Sequence, residues 1–419
     1  MERSEREESL GMRRTYRYAA MTKDEAQSRL GGTDGLFTKP SRVEDSQAHE
    51  VVQMYDSVSA KSRQRIEGKM EEMQERQTRE AVQEIIEFNR TPSDLKGQVD
   101  QFVIGQEKGK KVIATAIAFH YRRLGKALKE AIVESGDDID AALKDTSTPK
   151  ANILIVGPTG CGKTYTSEIA SQLVGVSFVH EDMTRFSEVG YVGRNATDIL
   201  VDLLVAAGGN PHVAQMGVVY LDEIDKVASE VVSYKDVSGK GVQKGLLHLL
   251  DGVENVVDLG REKIFLTTKH VLFIAGGAFE NLDVIVKRRM SRQGIEGNWA
   301  DYLMTADLAV FGMERQLMGR FPVKVVYDGL TTQNLKDILS KSAGSPLLAY
   351  AGDLKAWDID LAFTDDALAQ VALRAQEEGT GARGLISILH RVLLDDMYRL
   401  PGNYTGEFMV DADYVRSKL

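Results

Sequence analysis

Two short stretches hold the side chains best suited to chemistry. In "ANILIVGPTGCGKTYTSEIA" the segment Gly157, Pro158, Thr159, Gly160, Cys161, Gly162, Lys163 and Thr164 fits the pattern G-x-x-x-x-G-K-S/T. It follows an apolar run, Ile153 to Val156, and opens a helical pattern, which is the setting a phosphate-binding loop requires. Glycines let the backbone bend until several N–H groups point at phosphate oxygens, and the positive end of the following helix adds to them. Lys163 is suited to hold the β- and γ-phosphates of ATP, and the Thr164 hydroxyl to ligate Mg²⁺. A purely structural glycine turn is the competing reading, and the strand-loop-helix setting counts against it. Cys161 reads as a small residue filling a tight loop rather than as a redox handle.

Further on, "GVVYLDEIDKVA" is an apolar strand, Val218 to Leu221, that ends in Asp222 and Glu223. An acid at the C-terminal end of a parallel strand sits beside the phosphate loop, because ligands collect there in open α/β sheets. Asp222 is therefore expected to bind Mg²⁺ through water, and Glu223 to act as general base on the attacking water. One acid alone would indicate nucleotide binding; the two together indicate hydrolysis. The competing reading has them merely ending a strand and capping the next helix.

The elements that must position these groups follow from the rest of the chain. Its 419 residues, 43% of them hydrophobic, suffice for two or three domains with sizeable cores. A net charge of −10 and a pI near 5.4 argue against a general nucleic-acid surface. A single cysteine rules out an intramolecular disulfide and any multi-cysteine zinc site. No apolar run reaches membrane-spanning length, and "MERSEREESLGMRR" lacks the apolar core of a secretory signal, so a cytoplasmic protein without membrane contact is expected. Residues 1–90 form a variable region, polar and partly disordered at first. Val51, Met54, Val58, Ile66, Met70, Met73, Val82, Ile85 and Ile86 then recur at near-helical spacing. They suit an exposed oligomerisation or adaptor-docking helix, or equally a solvated tail lying on the main body. Residues 91–328 read as the large ATPase domain and 329–419 as a small, mostly helical one. In the latter, "LTTQNLKDILSKS" and "TDDALAQVALRAQEEG" begin with Thr-led caps, "GARGLISILHRVLLDDMYRL" stops at Pro401, and "GEFMVDADYV" supplies a short strand.

With these residues in hand, a resemblance becomes specific. "DQFVIGQEKGKKVIATAIAFHYRRL", "GPTGCGKT", "SEVGYVGRN", "VYLDEIDKVA", "DVSGKGVQKGLLHLLDG", "VLFIAGGAF", "GRFPV" and "GTGARGL" stand in the order and near the spacing seen in ClpX, the AAA+ unfoldase, with HslU a close relative. The likeness covers about residues 91–419. It implies an α/β fold of the AAA+ P-loop type, with a parallel-sheet large domain and a small helical C-terminal domain. It also implies a homo-oligomeric ring, a hexamer, that hydrolyses ATP to unfold polypeptide substrates. Val103 and Ile104 resemble the pair that contacts adenine. Arg320 resembles the arginine finger that reaches the γ-phosphate on the neighbouring subunit, and Arg383 the sensor arginine of the small domain. Tyr191 and Val192 resemble the pore loop that grips substrate; on the letters "GYVG" alone, a tyrosine packed beneath the next helix is the simpler reading.

The chain also departs from that family. It lacks the four-cysteine N-terminal zinc domain, leaving any adaptor unknown. Between Ile285 and Phe311 there is no Ile-Gly-Phe tripeptide, which counts against docking on a ClpP-type peptidase. The stretch "GVENVVDLGREKIFL" is shorter than the usual second pore loop and lacks its Arg-Lys-His cluster. "HVLFIAGGAF" ends in Gly276-Gly277, so no side-chain sensor is assigned there, and Gln316 stands where the family usually has Glu. Two other readings remain: a regulatory ATPase dedicated to one partner without a peptidase, and a AAA+ motor on DNA, which the acidic total and the aromatic loop oppose.

Overall fold

The strands that carry these motifs are apolar along their length, as a parallel sheet covered on both faces demands. The computed structural model describes residues 15–17, 60–136, 138–146, 148–186, 194–228, 238–258 and 263–419. Its strands are β1 (Thr15–Arg17), β2 (Ile153–Val156), β3 (Phe178–Asp182), β4 (Val218–Asp222), β5 (Glu254–Asp258), β6 (Lys263–Thr267), β7 (Leu272–Gly277), β8 (Val323–Val326), β9 (Ile359–Thr364) and β10 (Gly406–Val410). Five of them form one parallel sheet in the order β3-β4-β7-β2-β8. Successive side chains of a strand point to opposite faces, so each strand feeds two cores. Leu154, Val219, Leu221 and Phe273 enter one; Ile153, Ile155, Tyr220 and Ile274 enter the other. Each fully buried Leu, Ile or Phe contributes about 2 kcal/mol.

Helices cover both faces. On one lie α1 (Ala60–Glu87), α2 (Pro92–Val99), α3 (Glu107–Ser135) and α4 (Lys163–Val174). On the other lie α5 (Asp198–Ala206), α6 (Ser238–Leu250), α7 (Leu282–Arg292), α8 (Thr305–Phe311) and α9 (Arg315–Gly319). The end of α1 is not a loose tail: Val82 and Ile85, with the following Phe88, are buried in the same core as α3, while Met73 near its middle is 58% exposed. Strands β5 and β6 form an antiparallel hairpin in the stretch that the sequence marks as a shortened loop.

The C-terminal part builds a separate core from α10 (Thr332–Lys341), α11 (Pro346–Lys355), α12 (Asp365–Glu377), α13 (Ala382–Arg399), α14 (Ala412–Lys418) and the parallel pair β9 and β10. β1 adds antiparallel to β9. The Thr-led caps are present: Thr331 accepts from Asn334 N–H and Thr364 from Ala367 N–H. The architecture is thus α/β, a parallel-sheet body followed by a small, mostly helical region. Among the described residues, no helix is long and apolar enough to cross a membrane.

Candidate functional site

The strand order brings the C-terminal ends of β2, β7 and β4 side by side, and the chemically active residues leave the sheet there. Gly157 N–H donates to Gly277 O at 3.1 Å, which ties the start of the phosphate loop to the end of β7. Gly160 and Gly162 take φ of +74° and +93°, a backbone that side chains rarely adopt. Lys163 opens α4 with its ammonium folded over the loop, donating to Gly157 O at 2.7 Å and Pro158 O at 2.9 Å. Cys161 is buried, and burial pushes its thiol pKa up, which keeps it protonated and unreactive. It behaves as filling for the loop.

Thr164 Oγ1 donates to Asp222 Oδ2 at 3.1 Å. Burial pushes the Asp222 carboxyl up, but bonds from His180, Glu223 N–H and Thr164 outweigh it and hold the group below the usual carboxylate range. An ionised carboxylate beside a hydroxyl, at the mouth of a phosphate loop, is the hard-oxygen donor set that suits Mg²⁺. Glu223 sits in the left-handed region at φ +54°, exposed, and lines the same cavity. That cavity measures about 600 Å³. Its floor is the loop from Thr159 to Thr164 with Asp222 and Glu223; its apolar wall includes Val103, Ile104, Leu330 and Ile386; Arg383 enters from α13. The body and the small domain therefore share one site. They also touch through the backbone, Ala382 N–H donating to Gly160 O at 3.0 Å. A Cβ on Gly160 would lie 2.2 Å from Thr380 O, and one on Gly381 2.6 Å from Gly160 O, so both positions need glycine.

Arg320 is elsewhere. It caps the end of α9 and lines a separate cleft of about 410 Å³ with Lys150, Asn152, Asp251 and Lys269. Its Nε donates to Asp251 Oδ1 at 2.5 Å. Burial lowers the Lys150 pKa to about 8, with Asp251 opposing and Arg320 adding. Tyr191 and Val192 lie outside the described residues. Gly276 and Gly277 have a steric reason instead of a sensor role: a Cβ on Gly276 would lie 1.9 Å from Tyr220 Oη, and one on Gly277 2.5 Å from Asp225 Oδ1.

Three residues escaped the reading of the sequence. His180 Nε2 bonds Asp222 Oδ2 at 3.1 Å, and that bond raises its pKa. Buried Asp225 accepts from Ala278 N–H at 3.2 Å and Phe279 N–H at 3.3 Å, anchoring the chain as it leaves β7. Arg194 pairs with Glu181 and Asp202. Asp225 had a sequence signal as the third acid of "LDEID", and Arg194 stood in "SEVGYVGRN" without a role assigned to it.

A phosphate loop, two acids at the end of β4 and a small domain bordering the same cavity are parts shared with AAA ATPases. Family models agree: an AAA domain of the Cdc48 subfamily matches residues 148–324, and the C-terminal D2-small domain of ClpB protein matches residues 330–405. The "ATP-dependent Clp protease ATP-binding subunit ClpX" of Borrelia duttonii is 37% identical over 334 residues, 75% of each chain. That of Treponema denticola is 36% identical, covering 74% of this chain and 77% of its own. "ClpX 3" of Methylococcus capsulatus is 35% identical over 356 residues, 78% of this chain and 80% of its own.

The chain belongs to the ClpX family of AAA+ ATPases. It is an ATP-hydrolysing enzyme of the ClpX unfoldase type, and the likeness favours that reading over a DNA motor or a remodeller of one dedicated partner.

Proposed function

We propose that this ClpX-family ATPase works as a hexameric ring that draws polypeptide through its axial pore, with one ATP hydrolysed at a time in each cavity between body and small domain. The observation that carries this reading is the shared wall of the cavity. Arg383 reaches it from the small domain while Lys163, Asp222 and Glu223 reach it from the body, so a change in the bound phosphates bears directly on the angle between the two. Lys163 would exchange its bonds to Gly157 O and Pro158 O for the β- and γ-phosphates. Thr164 and Asp222 would hold Mg²⁺, which neutralises charge on the phosphate oxygens. Glu223 would take the proton of the attacking water. Val103 and Ile104 would pack on the adenine, an apolar surface for an apolar base.

Arg320 is proposed to act on the neighbouring subunit's nucleotide. Supporting this, it does not line its own chain's cavity, is 51% exposed and is steadied by Asp251. Its planar guanidinium suits two bonds to a phosphate. Tyr191 and Val192 are proposed to grip the substrate by apolar contact that depends little on its sequence. The relatives' name makes them subunits of a protease. Here the missing tripeptide counts against docking on a ClpP-type peptidase through the segment after α7, which continues into a short helix, Trp299–Tyr302, and then α8. The ring is proposed to work in the cytoplasm on protein substrates.

The test is the response of ATP hydrolysis to its effector. A permanently unfolded protein is expected to stimulate the ATPase, single-stranded DNA to leave it unchanged, and Tyr191→Ala to remove unfolding. Stimulation by DNA but not by protein would overturn the reading.

A further inference from the structure

Tyr191 and Val192 stand between Phe186 and Arg194, the described residues that flank them in the sequence. Those two residues are held together. Arg194 N–H donates to Arg185 O at 3.1 Å, Phe186 and Arg194 form an isolated parallel bridge, and the guanidinium carbon lies 5.3 Å from the Phe186 ring centre. The same guanidinium reaches inward. Its Nη1 donates to Glu181 Oε2 at 2.8 Å and its Nη2 to Asp198 O at 3.2 Å, with a further ion pair to Asp202. Glu181 is 3% exposed, so its carboxyl has little recourse to water and relies on Arg194 and Asp202 as partners. Arg194 therefore joins β3, the start of α5 and Phe186 at one point, using the fork of donors that only arginine supplies.

β3 is also the strand next to the nucleotide site. His180 precedes Glu181, and the two point to opposite sides of the sheet, one bonded to Asp222 and the other to Arg194. Asp222 in turn accepts from Thr164 of the phosphate loop. A continuous set of hydrogen bonds thus runs from the phosphate loop through one short strand to Arg194 and Phe186. We propose that Arg194 is a positioning residue that fixes the two chain segments flanking Gly-Tyr-Val-Gly to β3, so that movement at the nucleotide site is delivered to the polypeptide. The proposal rests on the substrate-gripping role given above to Tyr191.

The experiment measures ATP consumed per substrate molecule unfolded, in the full-length protein, for Arg194→Gln, Arg194→Lys and Tyr191→Ala. Removing the guanidinium forfeits several charge-assisted bonds, and Arg194→Gln is expected to raise the ratio by roughly tenfold or more. Arg194→Lys keeps the charge but not the fork and should recover part of the coupling; it also serves as the probe if Arg194→Gln fails to fold. A purely structural role would lower hydrolysis and unfolding together and leave the ratio unchanged, which would overturn the proposal. So would normal ratios in both Arg194 variants beside an uncoupled Tyr191→Ala. If Tyr191→Ala itself unfolds substrate at the normal ratio, the gripping role fails, and the Arg194 proposal with it.

Discussion

Asp225 shows how a residue close to Asp222 and Glu223 supports the end of the neighbouring strand. Its carboxylate is 7% exposed and accepts two backbone N–H groups, from Ala278 and Phe279, where the chain turns out of β7. Phe279 and Asn281 there have φ of +50° and +66°, conformations that need support from their surroundings. The carboxylate supplies it and also explains Gly277, since a side chain at that position would meet Asp225 Oδ1. Removing a buried charged acceptor leaves two N–H groups without a partner, so Asp225→Ala should lower stability by about 3 kcal/mol. Asp225→Asn keeps one oxygen and should lose about half as much. Urea unfolding of the two variants decides this; equal, small losses would show that water replaces the carboxylate.

At the scale of elements, two histidines tie helices to the chain entering β7: His120 from α3, and His270 itself to Leu143 of the short helix Ile139–Asp145. His120 Nε2 bonds His270 O at 3.0 Å, and His270 Nε2 bonds Leu143 O at 2.9 Å. Burial pushes His120 down to about 3, with Arg123 and Lys150 nearby adding to it, and burial likewise lowers His270, beside Lys269 and Lys150. Both rings are neutral in the fold. Below the ordinary histidine value near 6.5, the unfolded chain takes up a proton that folded His120 refuses, so stability falls as pH drops from about 6.5 toward about 3. For His120 alone the loss at pH 5 is about 2 kcal/mol. Denaturant unfolding at pH 7.5 and pH 5 should show it, and His120→Asn should flatten the slope; an unchanged slope would remove the assignment. Much at this scale was legible in the sequence. The phosphate loop, the strand ending in Asp222 and Glu223, and the caps at Thr331 and Thr364 are local patterns that fix local structure. The destination of a periodic stretch is not local. Val82 and Ile85 mark one side of a helix, yet nothing near them says that the side faces α3. The short strand β9, with its alternation interrupted, merges into the pattern of the helix after it. His180 and Glu181 act through partners brought close by the sheet, and the side chain of Arg194, though inside a motif, announces neither Glu181 nor Asp202 as its partner.

For the whole molecule, the decisive question is whether a site is complete in one chain. The cavity holds Lys163, Thr164, Asp222, Glu223 and Arg383, whereas Arg320 projects into a different cleft, paired with Asp251. On the role proposed for Arg320, a lone subunit lacks one guanidinium to stabilise charge developing on the transferred phosphate, a contribution that reaches several kcal/mol in other phosphoryl-transfer enzymes. If Arg320 supplies it to a neighbour, two inactive variants can repair each other. Arg320→Ala keeps its own acids but offers no arginine; Glu223→Gln offers the arginine but cannot activate water. In mixed rings an Arg320→Ala site facing a Glu223→Gln neighbour is whole again. Hydrolysis by the mixture should exceed that of either variant alone by roughly tenfold, and should fall on dilution as rings dissociate. A mixture that stays at the average of its parts would place Arg320 in the service of its own chain, most simply as the partner that holds Asp251 and the end of α6 in place.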